Sequence, residues 1–246
     1  MNLPENAIKV LDKGYVSLID HMGSDISPVN AARVSFDKES ELDEDGSLKD
    51  RDQRLINYLV RNQEYSVFRH ATLSFEAYMP LMVCRQYWKY IVGASHVDDG
   101  TCMNESSRRY ITEEPAFYIP DVDQWRSAPE NKKQGSGTPV DPRIGQVATE
   151  ELMRYADEGV ALYERWMQMG VCAEQARLFL PAYGMYVRIR TTMSLAALSH
   201  FLRERLAHNA QKEIYEYALA FYQLAYDKFP HSLNSLVGPK EDIIPG

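Results

Sequence analysis

Residues 71–90, ATLSFEAYMPLMVCRQYWKY, change hydrophobic period halfway along. Thr72 to Met79 alternates, with Leu73, Phe75, Ala77 and Met79 as its apolar members. Successive strand side chains point to opposite faces, so this pattern predicts a half-buried strand. Pro80 is placed to open a helix over PLMVCRQYWKY (80–90). A chain that contains such a junction needs a sheet with helices packed on it.

The flanking sequence supplies both. IKVLDKGYVSLIDHMG (8–23) reads as two short strands around Lys13-Gly14. Ser27-Pro28 reads as an N-cap followed by Pro at the first helical position, leading into VNAARV. Asp37 to Ser47 is polar and acidic, a surface loop. Leu48, Leu55, Ile56 and Leu59 recur at helical spacing, predicting an amphipathic helix over 48–62. Residues 91–103 read as a loop, and Trp125 to Arg143 as the least structured segment. A helix is expected from Gln146 to Gln168, ending at Gly170, then a strand over Tyr183 to Thr192. Helices over about 195–206 and 210–227 follow. Strands therefore gather in the N-terminal half and helices in the C-terminal half. No internal repeat or linker divides them.

Charge narrows the function. Twenty-seven Lys and Arg against 35 Asp and Glu give a formal net charge of −8. A general nucleic-acid binder would carry a basic face, so nucleic acid is not expected as a partner. A small anionic substrate stays open, because a few focused arginines can outvote a distant average. No apolar run approaches the ~18 residues of a membrane span. Three cysteines, Cys84, Cys102 and Cys172, show no C-x-x-C spacing, which argues against a disulfide framework and a thiolate zinc site. MNLPENAIKVLDKGYV carries no basic stretch ahead of an apolar run, and the expected compartment is a soluble, reducing cytoplasm. Six histidines form no H-x-x-x-H or H-E-x-x-H, so no metal is expected. Rossmann, P-loop and G-x-S-x-G signatures do not occur either.

The densest polar cluster is Asn104-Glu105-Ser106-Ser107-Arg108-Arg109-Tyr110. Guanidinium forks suit phosphate geometry, and hydroxyls and backbone N–H groups can complete a cradle. A solvated loop with a surface ion pair is the competing reading. Arg85, Gln86 and Lys89 lie on the helix expected over 80–90. A Gln there can donate and accept together, as a pyrimidine edge requires; a basic outer face is the plainer alternative. Arg177 in ARLFLP and Arg205 at the end of FLRER sit in apolar surroundings and need an anionic partner. Glu174, Glu204, Glu213 or a ligand phosphate could each serve.

These segments, in this order, resemble the flavin-dependent thymidylate synthases. The likeness is carried by LDKGYV (11–16), AARVSFD (31–37), RQYW (85–88), NESSRRY (104–110), FYIP (117–120), ARLFLP (176–181) and FLRER…AQKEIYEYALA (201–220). It implies an α/β (α+β) fold, with a mixed N-terminal sheet packed with helices and a helical C-terminal half, in one domain over 1–246. It implies methylation of C5 of dUMP, with the carbon from methylenetetrahydrofolate and the hydride from FAD reduced by NADPH. It also implies a homotetramer whose subunits share active sites. On the nucleotide side it points to Gln86, Lys89, Glu105, Ser107, Arg108, Arg109, Arg177 and Arg205, with Arg205 and Ser107 as the catalytic pair. On the flavin side it points to Ser35, Ser66, Arg69, Lys89, Tyr90, His200 and Asn209.

The flavin side departs from the family. Its Arg-His-Arg signature reads Lys89, Tyr90, Ile91 here, the link to Asn104 is longer, and a family Asn and Arg appear as Ser194 and Ala196. Lys keeps the charge but loses the planar fork. That departure implies a specialised relative, such as a UMP methylase of nucleoside secondary metabolism, or a nucleotide-binding homologue that has lost catalysis. Tyr87 and Tyr90 are candidates to stack on a flavin or folate ring, with core packing as the alternative. The flavin enzymes do without an enzymic nucleophile, which leaves Cys102 as a third, thiol-based route, with His96 able to approach it.

Overall fold

The computed structural model describes residues 3–93, 102–107, 114–129 and 135–244. Five strands make one sheet in the order β1-β2-β3-β5-β4: β1 Ile8–Val10, β2 Gly14–Met22, β3 Thr72–Pro80, β4 Cys102–Glu105 and β5 Tyr186–Ser194. Each neighbouring pair is antiparallel. The α+β class is as expected, but the sheet is not mixed. Its centre is completed by β5, a strand from the C-terminal half, which runs antiparallel to both β3 and β4.

An antiparallel sheet can keep one face wet. On the covered face Leu73, Phe75, Ala77 and Met79 of β3 and Val187, Ile189 and Met193 of β5 are buried. On the other face, Ser74 and Thr192 exchange a hydroxyl hydrogen bond at 3.1 Å and Arg190 pairs with Glu76 at 3.2 Å. Such cross-strand pairs each contribute roughly 0.2–1 kcal/mol.

The covered face carries α1 (Ile26–Arg33), α2 (Asp50–Arg61), α3 (Leu81–Gly93), α6 (Leu195–Arg205), α7 (Lys212–Tyr226) and α8 (Pro230–Leu236), whose apolar residues share one core with the strands. The long α4 (Pro142–Gln168) lies apart from that core. Its Ala156 joins Phe117 and Leu180 in a second, small cluster. Two short helices, α5 (Ala173–Ala176) and α9 (Lys240–Ile243), complete the set among the described residues. Gly14 permits a close approach of α7 to β2, because an added Cβ would lie 1.9 Å from the Tyr217 hydroxyl. That hydroxyl donates to the Tyr78 backbone oxygen at 2.7 Å.

Several boundaries differ from the sequence reading. Pro80 does not open α3; it is the last residue of β3, paired with Tyr186, and α3 begins at Leu81. Its missing N–H costs nothing at a strand end. Asp25, not Ser27, is the N-cap of α1, while the Ser27 hydroxyl accepts from the Ser24 N–H at 3.1 Å. Helix α4 starts four residues before Gln146, since Asp141 caps it by accepting from the Arg143 N–H and Pro142 takes the first position. Strand β5 covers Tyr186–Ser194 rather than 183–192. Cys102 and Met103, expected in a loop, start β4. Residues 94–101 of that expected loop lie outside the described residues.

Asp25 also ties the chain's two ends together. Its carboxylate accepts from the backbone N–H groups of His231 and Ser232 at 2.9 and 2.8 Å, capping α8 across the sequence. It is buried, so truncation would strand two donors. Asp25→Ala is expected to cost about 1–3 kcal/mol, seen as a lower urea midpoint at unchanged slope. An unchanged midpoint would contradict this role.

Candidate active site

Helix α3 is the axis of the site. The strand pair β3/β5 fixes where it starts, and α6 leaves the opposite end of the same pair. The two helices pack on each other. Tyr87 of α3 lies edge-on to Phe201 of α6 and stacks on Phe221 of α7, at 5.1 and 5.3 Å between centroids. Its hydroxyl donates to Thr191 Oγ1 at 3.1 Å. Tyr87 is fully buried and belongs to the core, not to a cofactor site.

One turn further along α3, Tyr90 meets α6. The Arg205 guanidinium lies over its ring, 3.9 Å from the centroid, and the His200 ring is 6.4 Å away. A stacked cation takes one face of Tyr90. Arg205 is largely buried, with 14% of its side chain exposed. Among the described residues its nearest carboxylate, on Glu204, is 4.0 Å away, and its Nε has no hydrogen-bond partner. A guanidinium so placed has paid desolvation without a matched anion among the described residues, and it favours a ligand oxygen. Burial pushes the His200 imidazole down in pKa, against the nearby Glu204, and so favours its neutral form.

The polar segment after β4 reaches the same helix from the sheet. Glu105 ends β4, and the Cys84 thiol of α3 lies 3.8 Å from its carboxylate. Burial first, then the Glu105 charge, push the Cys84 thiol up to about 12, so it stays protonated. Ser106 locks this segment to β5 through paired bonds with the Arg188 backbone, at 2.8 and 3.0 Å. A cleft of about 440 Å³ opens here, lined by Asn104, Glu105, Arg188 and Arg190. Ser107 follows, half-buried. Arg108, Arg109 and His96 lie outside the described residues. Cys102 is exposed at the start of β4, where its backbone oxygen accepts from Thr191 Oγ1 at 3.0 Å.

Gln86 is tied in from a third direction. Its Nε2 donates to Gln211 Oε1, Gln211 Nε2 donates to Glu213 at 2.8 Å, and Arg126 Nη2 donates to Glu213 at 2.6 Å. Gln211 is the N-cap of α7 and Glu213 lies in its first turn, where negative charge suits the helix dipole. Burial alone would raise the Glu213 pKa, but hydrogen bonds from Arg126 and Gln211 outweigh it and hold the carboxyl below its usual value. A cavity of about 670 Å³, walled by Met82, Phe117, Trp125, Leu152 and Pro181, adjoins this pair. Sequence reading missed Arg126 and Gln211, and it offered Glu213 to Arg177 or Arg205 instead.

Gln86, Glu105 and Arg205 thus converge on α3. Arg177 does not join them. It is exposed, in a short 3-10 turn after α5, and its Nε donates to the Glu174 backbone oxygen at 3.3 Å. The flavin-side residues spread around α6. Ser66 and Arg69 lie on a 3-10 turn over Tyr65–His70 that packs against α1 and α6. Ser35 is exposed on the turn after α1, Lys89 is exposed on α3, and Asn209 is exposed between α6 and α7. Among the described residues no group of three or more His, Cys, Asp or Glu could hold a metal ion. Nor is any helix there long and apolar enough to cross a membrane.

Known proteins give this arrangement a context. Residues 17–231 match the family model described as thymidylate synthase complementing protein. The flavin-dependent thymidylate synthase of Thermotoga neapolitana is 32% identical over 233 residues, covering 94% of each chain. That of Thermosipho africanus is 31% identical over 240 residues, covering 97% of this chain and 98% of its own. A crystal structure of the UMP/dUMP methylase PolB from Streptomyces cacaoi, bound with 5-Br dUMP, superimposes with a TM-score of 0.74. It is 25% identical and covers 94% of this chain and all of its own. The same methylase bound with 5-Br UMP gives the same score. With the family model matched over most of its length and such relatives covered nearly end to end, the chain belongs to the thymidylate synthase complementing protein family, the flavin-dependent thymidylate synthases.

Proposed function

We propose that this chain methylates C5 of a uridine monophosphate, converting dUMP to dTMP, with UMP as a second substrate. The carbon comes from methylenetetrahydrofolate and the reducing equivalents from NADPH through FAD. The membership in the family supports the reaction, and the likeness to a UMP/dUMP methylase supports the second substrate. The observation that carries it is Arg205: a largely buried guanidinium stacked on Tyr90, with its nearest carboxylate among the described residues 4.0 Å away, and Tyr90 lies one turn along α3 from Gln86. Uracil offers oxygens for the cation and a polar edge for the amide.

In this reading Arg205 stabilises negative charge as it develops on the pyrimidine. Glu105, Ser107, Arg108 and Arg109 hold the phosphate and sugar in register. Arg177, exposed on its turn, reaches the nucleotide of a neighbouring subunit, so one domain spanning 1–246 completes its sites only in a homotetramer. The flavin-side donors fit a dianionic pyrophosphate, since Ser35 and Ser66 offer surface hydroxyls and Arg69 and Lys89 offer cations. His200 and Asn209 extend the same rim. FAD, when bound, supplies the hydride. The protein works in a reducing cytoplasm, where its three cysteines remain thiols.

The test is to incubate the purified protein with FAD, NADPH, methylenetetrahydrofolate and either dUMP or UMP, and to weigh the nucleotide by mass spectrometry. A product heavier by one methylene unit is expected; nucleotide binding without flavin uptake or product would mark a homologue that has lost catalysis. Arg205→Ala is expected to lower kcat by roughly 10²–10³, the scale for losing one transition-state donor. A smaller loss would remove it from the chemistry. Cys102→Ala is expected to keep full activity in the same assay, and its inactivity would restore the thiol-based route.

A further inference from the structure

The chain of donors from Arg126 to Gln86 has a direction. Both Glu213 oxygens are occupied, Oε1 by Arg126 and Oε2 by Gln211. Glu213 is nearly buried, with 7% of its side chain exposed. An ionised carboxylate only accepts, whereas a side-chain amide can face either way. Gln211 must therefore turn its NH₂ to Glu213, which leaves its oxygen toward Gln86. Gln86 must in turn give its NH₂ to that oxygen. That leaves the Gln86 oxygen, not its NH₂, at the far end of the chain. Gln86 and Tyr90 are four apart on α3, hence on one face, and Arg205 lies on Tyr90.

We propose that Glu213, acting through Gln211, is a positioning residue that fixes the Gln86 amide with its carbonyl oxygen toward the nucleotide. The site then selects a ligand that donates a hydrogen bond at that point. This rests on the reading that a uridylate binds beside Arg205. Two groups of a uridylate can donate there: the imide N3–H of uracil and a sugar hydroxyl. Cytosine carries an acceptor at N3, so an oriented carbonyl would repel it. Arg126 keeps the arrangement in place by neutralising the buried carboxylate.

Glu213→Gln reverses the polarity. A glutamine there gives its oxygen to Arg126 and its NH₂ to Gln211, so each amide down the chain turns over. Gln211→Leu is the second variant; it releases Gln86 while leaving the Arg126–Glu213 pair intact, so it answers even if the first fails to fold. Calorimetry would measure Kd for dUMP, dCMP and 2′,3′-dideoxyuridine monophosphate with each protein. One of the two wild-type preferences, for dUMP over dCMP or for dUMP over the dideoxy analogue, is expected to fall about tenfold in the variants, the scale of one buried hydrogen bond. A fall in the first assigns the oxygen to N3–H, and a fall in the second to the 3′-hydroxyl. Loss of affinity for all three ligands alike, with both preferences unchanged, is what a merely structural role would give and would overturn the inference. A wild-type protein that binds no uridylate would overturn the functional reading along with it.

Discussion

The nine-residue pairing of β3 with β5, from Thr72 opposite Ser194 to Pro80 opposite Tyr186, is the constraint on which the site depends. It joins strands more than a hundred residues apart in sequence and sets their register over its whole length. Because one face is buried, a slip of one residue would turn Phe75 and Ile189 to the wrong side. Each strand runs directly into a helix, β3 into α3 and β5 into α6. The register therefore decides where both helices begin. Where they meet, Tyr87 against Phe201 anchors the core and Tyr90 against Arg205 forms the site's floor.

Two largely buried cations near this seam are treated differently. Arg126 has a full carboxylate partner in Glu213, 2.6 Å away, and the pair is knitted into α7. Arg205 has an aromatic face and, among the described residues, a carboxylate no nearer than 4.0 Å, while the Nε of both cations lacks a hydrogen-bond partner. A paired charge gives fixed geometry, while an unmatched one keeps its binding energy for a ligand. The same contrast separates the thiols. Cys84 is buried beside Glu105 and held protonated, whereas Cys102 is exposed on an edge strand. Neither sits as a nucleophile beside a base among the described residues.

Much of the fold was legible in the sequence because it is written in local periodicity. The alternation of 72–79 and the helical spacing through α2, α4, α6 and α7 all correspond to elements. Beta strand β4 was not legible, being four residues, CMNE, with a mostly exposed pattern and no alternation to detect. The start of α4 was hidden because Asp141-Pro142 reads equally as loop chemistry until the cap is seen. In the site, the residues of short polar motifs stood out, Gln86, Glu105 and Arg205 among them. The link from Gln86 to Arg126 did not, since Arg126 and Glu213 are far apart in sequence and lie in segments without a shared pattern. Arg177 was legible as a residue type, yet its exposed position on a turn away from α3 follows only from the fold.

A nucleotide seated on the α3–α6 seam is the central claim, and a crystal structure of the protein with dUMP tests it most directly. The uracil ring is expected against Arg205, with a hydrogen-bond donor of the nucleotide, its N3–H or its 3′-hydroxyl, toward Gln86 and its phosphate toward the segment after β4. A nucleotide found instead in the cavity walled by Trp125, Leu152 and Pro181, with Arg205 untouched, would contradict it.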